Sequence, residues 1–139
     1  RIPALIIGPG VPVGADERVA SQVDLAPTLL GLLGIEPPAP MPGRDLLRLP
    51  ADAPGRALMQ YGLNHGFLVG DRLVVHQPRQ AAQSFLVRDG ELVPAADDPE
   101  LTRDALAHAL WPGMVYRQHA YRLPGDTTLA ASPPGRTLR

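Results

Sequence analysis

The sequence has 139 residues, with 13 Arg and no Lys against 14 acidic residues, no Cys and 17 Pro. A length in this range fits one domain with a hydrophobic core of its own. The net charge of -1 provides no basic field for a phosphate backbone, so it argues against nucleic acid as a partner. Without Cys, the chain can form neither a disulfide, nor a thiolate zinc site, nor a cysteine nucleophile.

The first apolar run covers residues 2–7 and is closed by Gly8-Pro9-Gly10. A short continuous run of this kind is typical of a strand buried on both faces of a sheet. It is far below the roughly 20 apolar residues that a membrane-spanning helix needs. We therefore expect a strand inside a helix-covered sheet. Because the chain begins with Arg1 rather than Met, we also expect it to be a piece of a longer protein.

Residues 21–34 are predicted to form a helix. Ser21 and Asp24 have the spacing of a capping box, and Asp24 also fits as the N-cap itself with Pro27 in the first turn. Gly34 is predicted to end the helix as a C-terminal cap. Apolar residues recur at three- and four-residue spacing, which predicts a face that packs against the sheet. These residues are Val23, Ala26, Leu29, Leu30 and Leu33.

The pattern changes after residue 55 to short β-type segments separated by turn residues. Gly70-Asp71 and Asp89-Gly90 mark two hairpins, and Asp-Gly suits the type I′ turn, in which both central residues have positive φ. We expect a small antiparallel sheet here. Its predicted strands are residues 57–63, 66–69, 72–76, 84–88 and 91–93.

A second helix is predicted to begin at Asp97-Asp98-Pro99, with an Asp N-cap and Pro in the first turn. We therefore interpret the carboxylates of Asp97 and Asp98 as helix-capping groups rather than as metal ligands or a catalytic acid pair. Pro112-Gly113 is predicted to stop or kink the helix. One or two further helical turns are expected over residues 114–121, and residues 126–139 have the composition of a flexible tail.

The sequence contains no complete catalytic set. No histidine stands in an H-E-x-x-H motif. Ser21 and Ser84 lack the G-x-S-x-G context of a hydrolase nucleophile. His65 is the histidine with the most suggestive setting, because Asn64 precedes it and glycines flank the pair between two predicted strands. A simple turn that uses Asn64 and glycine is the competing interpretation.

Three blocks in sequence order carry a resemblance: residues 2–10, residues 21–35 with Asp-Leu-Ala-Pro-Thr-Leu-Leu, and residues 42–47 with Gly-Arg-Asp-Leu. Together they resemble the C-terminal part of the sulfatase-like branch of the alkaline phosphatase superfamily, especially bacterial lipoteichoic acid synthase-like phosphoglycerol transferases. The resemblance implies an α/β fold, α+β within this chain. It implies the last strand and helix of the central sheet (1–50), then a small antiparallel β subdomain (51–96), a C-terminal helical segment (97–125) and the tail.

In that family a Thr, or a Cys-derived formylglycine, attacks a phosphate or sulfate ester with the help of a divalent metal (Mn, Mg, Zn or Ca). Acidic residues and an Asp-His pair hold this metal. The sequence has no Asp-His dipeptide, so the resemblance places no nucleophile and no metal ligand on its residues. We expect the isolated chain to be inactive and the longer protein to carry the chemistry.

The resemblance also implies a role for the chain within the longer protein. His65, Asn64 and Arg72 are predicted to face the active-site cleft and to contact an ester substrate or an anionic lipid head group. The expected partners are the preceding catalytic core and a second copy of the chain. The longer protein is expected to be anchored in the inner membrane with its catalytic domain periplasmic or extracellular. A non-catalytic binding or assembly domain is the alternative function.

Overall fold

A computed structural model describes residues 3–37 and 39–121. The 3₁₀ turn Gln22–Asp24 leads into helix α1 (Leu25–Leu32), and five strands follow after a connector. The last element is the long helix α2 (Pro99–Arg117). The strands are β1 (Arg56–Tyr61), β2 (Asn64–Val69), β3 (Arg72–His76), β4 (Gln83–Arg88) and β5 (Glu91–Pro94).

The five strands form one antiparallel sheet in the order β1-β2-β3-β4-β5. Each strand pairs with its sequence neighbour because short turns join most of them. Asp89 and Gly90 have φ angles of 52° and 84°, the positive values that a type I′ turn requires. The predicted small antiparallel sheet is thus confirmed, and its observed strands lie within a few residues of the predicted ones.

Helix α2 begins as predicted and packs on β2 and β3. Asp98 is its N-cap, and the carboxylate accepts a hydrogen bond of 3.1 Å from the Leu101 N–H. The buried core lies between the helix and the sheet, where Phe67, Val74 and Ala105 meet. Pro112 does not stop α2, which continues to Arg117. Proline removes one donor and clashes with the preceding turn, but packing on both sides of it, at Ala105 and Val115, keeps the helix together.

Helix α1 ends in the predicted glycine cap. Gly34 has a φ of 67°, its N–H donates to the Gly31 carbonyl, and the Ile35 N–H donates to the Leu30 carbonyl. These two bonds are those of a Schellman motif, which satisfies carbonyls left free at the helix end. The α/β fold class is confirmed, with helices and a sheet in one chain.

The predicted buried strand over residues 2–7 is not present in the part of this segment that the structure describes. Residues 3–7 have no strand assignment, and Leu5 and Ile7 are 83% and 85% exposed. A buried strand needs neighbours on both edges. All five strands of the described sheet pair antiparallel with their sequence neighbours, so none of them flanks this run.

The apolar face predicted for α1 is also not packed on the sheet. Leu29 and Leu33 are 41% and 71% exposed, whereas the side chains that α1 buries are Pro27 and Thr28.

The predicted domain boundaries at residues 50 and 96 remain predictions. The predicted tail (126–139) lies outside the described residues. None of the helices described has the length and apolar character that crossing a membrane demands.

Candidate functional site

A cluster of buried polar groups joins α1 to β1 and to the connector between them. Asp24 is fully buried, and its carboxylate accepts hydrogen bonds from the Ser21 N–H (2.9 Å) and the Arg44 N–H (2.8 Å). The Arg56 guanidinium lies 3.5 Å from the same carboxylate. A carboxylate withdrawn from water needs such partners, because an unpaired buried charge is strongly destabilising.

Thr28 completes the cluster one helical turn further along. Its hydroxyl donates to the Asp24 carbonyl (2.6 Å) and accepts from the Leu46 N–H (3.0 Å). Gly43 is required where the connector passes the helix start, because a Cβ there would lie 1.9 Å from the Val23 carbonyl oxygen. Residues of the second and third blocks of the resemblance, around Asp24 and Gly43, thus fix the connector against α1.

The positive charge in this cluster exceeds the negative charge. The guanidinium of Arg56 pairs with the buried carboxylate of Asp24. Burial, followed by repulsion from Arg56, lowers the pKa of Arg44. The Nε atom of each guanidinium is buried and has no hydrogen-bond partner among the described atoms. Arg56 also donates to the Pro42 carbonyl at 2.7 Å and Arg44 to the Pro54 carbonyl at 3.1 Å, so both side chains tie backbone segments together.

A groove of about 220 Å³ runs between the sheet and α2. The imidazole of His108 stacks on Phe67 with ring centroids 4.8 Å apart. Burial, followed by repulsion from Arg56, lowers the pKa of His108, which favours the neutral imidazole at pH 7. The groove is below the roughly 300–1,000 Å³ usual for small-molecule sites, so by itself it encloses no complete substrate. Its polar lining residues are Gln60, His65 and His108, and its apolar ones include Leu58, Phe67 and Trp111.

The structure separates the three predicted substrate-binding residues. His65 lies at the start of β2, opposite His76, and lines the groove. Asn64 is its neighbour in the strand and so points to the other face of the sheet. Arg72 lies at the far end of the β2–β3 hairpin and pairs with Asp98. The role of these residues in substrate binding stays a prediction.

Two groove residues were not selected from the sequence as site candidates. His108 and Trp111 lie three positions apart on α2, which places them on neighbouring parts of one helix face. Their spacing is the signal that was available. The spacing alone does not predict a site, because the sequence does not show which strand the helix packs against.

No family model matches the chain. A solved structure of a protein in the alkaline phosphatase superfamily from Vibrio parahaemolyticus matches with a TM-score of 0.77 and 33% identity, over 85% of this chain and 29% of that one. The chain belongs to the alkaline phosphatase superfamily. A putative extracellular sulfatase Sulf-1 homolog of Caenorhabditis elegans is 42% identical over 52 residues, which make up 37% of this chain and 7% of that protein. The superfamily match is therefore sulfatase-like, and the chain spans less than a third of either relative.

The divalent metal typical of this superfamily does not fit the residues that the structure describes. Within residues 3–37 and 39–121, no three His, Asp or Glu side chains come together. Asp24 is engaged with Arg56 and two backbone amides. Asp98 caps α2, and the N–H of Leu101 lowers the pKa of its carboxyl.

Proposed function

We propose that the chain is the C-terminal portion of a sulfatase-like enzyme that acts on phosphate or sulfate esters. Such an enzyme is a phosphoglycerol transferase or a hydrolase. The observation that carries this proposal is the superfamily match, which extends over 85% of this chain but accounts for only 29% of the solved relative. In this proposal the nucleophile and the metal ligands lie in polypeptide that precedes the chain in the longer protein.

The exposed apolar surface of the N-terminal region supports this role. Leu25, Leu29 and the C-cap residue Leu33 are 48%, 41% and 71% exposed and recur every four residues along α1. A helix that carries such a stripe normally buries it against another layer of the same domain. In the apolar segment before α1, Leu5 and Ile7 are 83% and 85% exposed. A central sheet belonging to the preceding polypeptide would cover both.

We place the groove at the wall of the active-site cleft in the longer protein. Its polar side chains are Gln60, His65 and His108, and the lowered pKa of His108 makes its imidazole a hydrogen-bonding group rather than a fixed charge. A neutral imidazole donates through one ring nitrogen and accepts through the other, so it suits an ester oxygen or a hydroxyl of the substrate. In this role the residues orient and desolvate the substrate, while the bond-breaking groups come from elsewhere.

The location of the longer protein belongs to the same proposal. We propose that it is anchored in the inner membrane and that its catalytic domain lies in the periplasm or outside the cell. The sulfatase relative carries the word extracellular in its name, which supports a catalytic domain outside the cytoplasm. An anionic lipid head group would then be within reach as a substrate.

The test is ester turnover by two polypeptides, the 139-residue chain and the product of the whole reading frame that contains it. Substrates are p-nitrophenyl sulfate, p-nitrophenyl phosphate and a fluorescent phosphatidylglycerol, each with and without EDTA. We expect no turnover by the chain and chelator-sensitive turnover of one ester class by the longer product. A sulfate preference assigns a sulfatase, and glycerol phosphate transfer assigns a transferase.

Two results would contradict the proposal. A longer product that retains no metal and turns over none of the three esters would favour the binding or assembly domain. A start codon directly before Arg1 would leave no room for the preceding catalytic part. Either result can be interpreted without knowledge of the natural substrate.

A further inference from the structure

The two faces of the five-stranded sheet differ in charge. Because side chains alternate along a strand, the register assigns each strand residue to a face. The face toward α2 contains Arg56, Arg72, Arg88 and Glu91 among its strand residues. We call the opposite side the open face. Its strand residues are Ala57, Met59, Tyr61, Asn64, Gly66, Leu68, Leu73, Val75, Gln83, Phe85, Val87, Leu92 and Pro94.

None of the strand residues on the open face is ionisable at neutral pH, and most are apolar. An antiparallel sheet with one face in water normally shows its charged residues on that face. Here the charged side chains lie on the side where α2 packs. This distribution is the reverse of that expected if the open face were in contact with water.

The open face is nevertheless exposed along its edge strands β1 and β5. Met59, Tyr61 and Leu92 are 45%, 87% and 53% exposed. Leu73 and Ala57 are shielded, at 8% and 9% exposure, and Leu68, Val75, Phe85 and Val87 are half-buried. The apolar residues Leu5 and Ile7 of the N-terminal segment are themselves 83% and 85% exposed, so that part of the chain does not cover it.

We infer that the open face is an interface that packs against an uncharged, apolar surface of the preceding polypeptide in the same protein. This inference rests on the proposed function, which supplies the longer chain. The solved superfamily relative has enough further polypeptide to form such a surface, because 71% of it lies outside the match. Sheets bury an apolar face against a second layer of sheet or helix about 10 Å away.

The area of the face argues against a second copy as the occupant. Five strands spaced about 4.8 Å apart and about five residues long give a face of roughly 400 Å². A symmetric dimer through this face alone would bury roughly 800 Å² in total, below the roughly 1,200 Å² of a stable interface. A covalently connected layer needs less area, because the linkage gives it a high effective concentration.

A lipid surface is also a poorer match. Helices and sheets that lie on anionic membranes combine apolar side chains with Lys or Arg beside them. The strand residues of the open face contain neither. An uncharged protein layer is the occupant whose chemistry matches.

The test uses the absence of Cys from this chain. Met59→Cys and Leu92→Cys place a thiol at each side of the open face. Leu110→Cys, at 58% exposure on α2, is the control of similar accessibility. Each variant is made in the 139-residue chain and in the whole reading frame, and its reaction rate with a thiol reagent is compared with that of the parent.

In the 139-residue chain we expect all three thiols to react at similar rates. In the longer product, we expect Met59→Cys and Leu92→Cys to react at least tenfold more slowly than Leu110→Cys. Equal rates in the longer product would overturn the inference. Protection of the open-face thiols in the 139-residue chain that grows with protein concentration would also overturn it, in favour of a second copy.

The same preparations separate this inference from the proposed function. Slow labelling of the open face together with absent ester turnover supports the interface and rejects the enzyme. Ester turnover together with fast labelling supports the enzyme and rejects the interface. Two variants on different edge strands keep the test readable when one of them is poorly folded.

Discussion

In the sheet and α2, each element is joined to its sequence neighbour, and the core lies between that sheet and that helix. Residues 18–37 and 39–55 are held differently, by side chains that reach the backbone of distant segments. Asp24 accepts from the N–H of Arg44, 20 positions away, and Ser21 accepts from the N–H of Leu58, 37 positions away. The first region rests on local turns and hydrophobic packing, and the second on a few buried polar groups.

The difference shows where each region is vulnerable. The sheet and α2 lose part of their packing when a core side chain is truncated. The N-terminal region has a much smaller apolar core, so the loss of one polar side chain disconnects α1 from β1. The following substitutions test this contrast, and the first is expected to have the largest effect.

Asp24→Ala removes the buried partner of Arg56 and leaves two backbone amides without an acceptor. We expect the free energy of unfolding to fall by about 3–5 kcal/mol, as measured by urea denaturation. Asp104→Ala removes a carboxylate from an exposed pair with Arg103 and should change the stability by less than about 1 kcal/mol. Equal effects of the two substitutions would show that the buried cluster does not hold the region.

Gly43→Ala tests the close approach of the connector to the start of α1. The added methyl group would lie 1.9 Å from the Val23 carbonyl oxygen, so the backbone must shift, at a cost of about 1–3 kcal/mol. Gly8→Ala is the matched control, because nothing lies within 4 Å of its position. A Gly43→Ala variant as stable as the control would contradict the described packing.

Gly113→Ala should act in the opposite direction in the other region. Gly113 lies inside α2 with open space around it, and Ala is the better helix former by about 1 kcal/mol. We expect an increase of about that size in thermal or urea stability. A loss of stability would mean that the chain needs glycine there to leave the helix after Pro112.

His108 gives the smallest effect, which appears as a dependence on pH. The pKa of its imidazole is lowered in the folded chain, so the unfolded chain binds the proton first as the pH falls. The contribution to stability is complete above the ordinary His pKa of about 6.5 and is lost as the pH drops below it. His108→Gln should flatten this decline between pH 7 and 5 in urea titrations, and an unchanged slope would contradict the assignment.

The contrast between the regions also decides how much the sequence could predict. The strands, the Asp-Gly turn and the cap at Asp98 follow from local patterns, and the structure has them. The spacing of Ser21 and Asp24 in the sequence also predicted the capping interaction between them. The ion pair of Asp24 with Arg56 was not, because it joins residues 32 positions apart.

The failures have the same physical origin. Residues 2–7 have the composition of a buried strand, but strand formation needs neighbours that this sheet does not offer. Pro112 was predicted to stop or kink the helix, and packing on either side carries it past this residue to Arg117. The groove depends on how α2 lies across β2, which no short pattern specifies. Separations between predicted site residues, such as His65 and Arg72, likewise follow only from the strand register.

Hydrogen exchange of backbone amides in the two polypeptides, the 139-residue chain and the product of the whole reading frame, tests the central claim most directly. We predict that the amides of β2 and β3 are well protected in both. The amides of α1 (Leu25–Leu32) should gain at least tenfold protection in the longer product relative to the 139-residue chain, because a further layer covers the helix there. Equal protection of α1 in both would contradict the account, because the N-terminal region would then be complete without the rest of the enzyme.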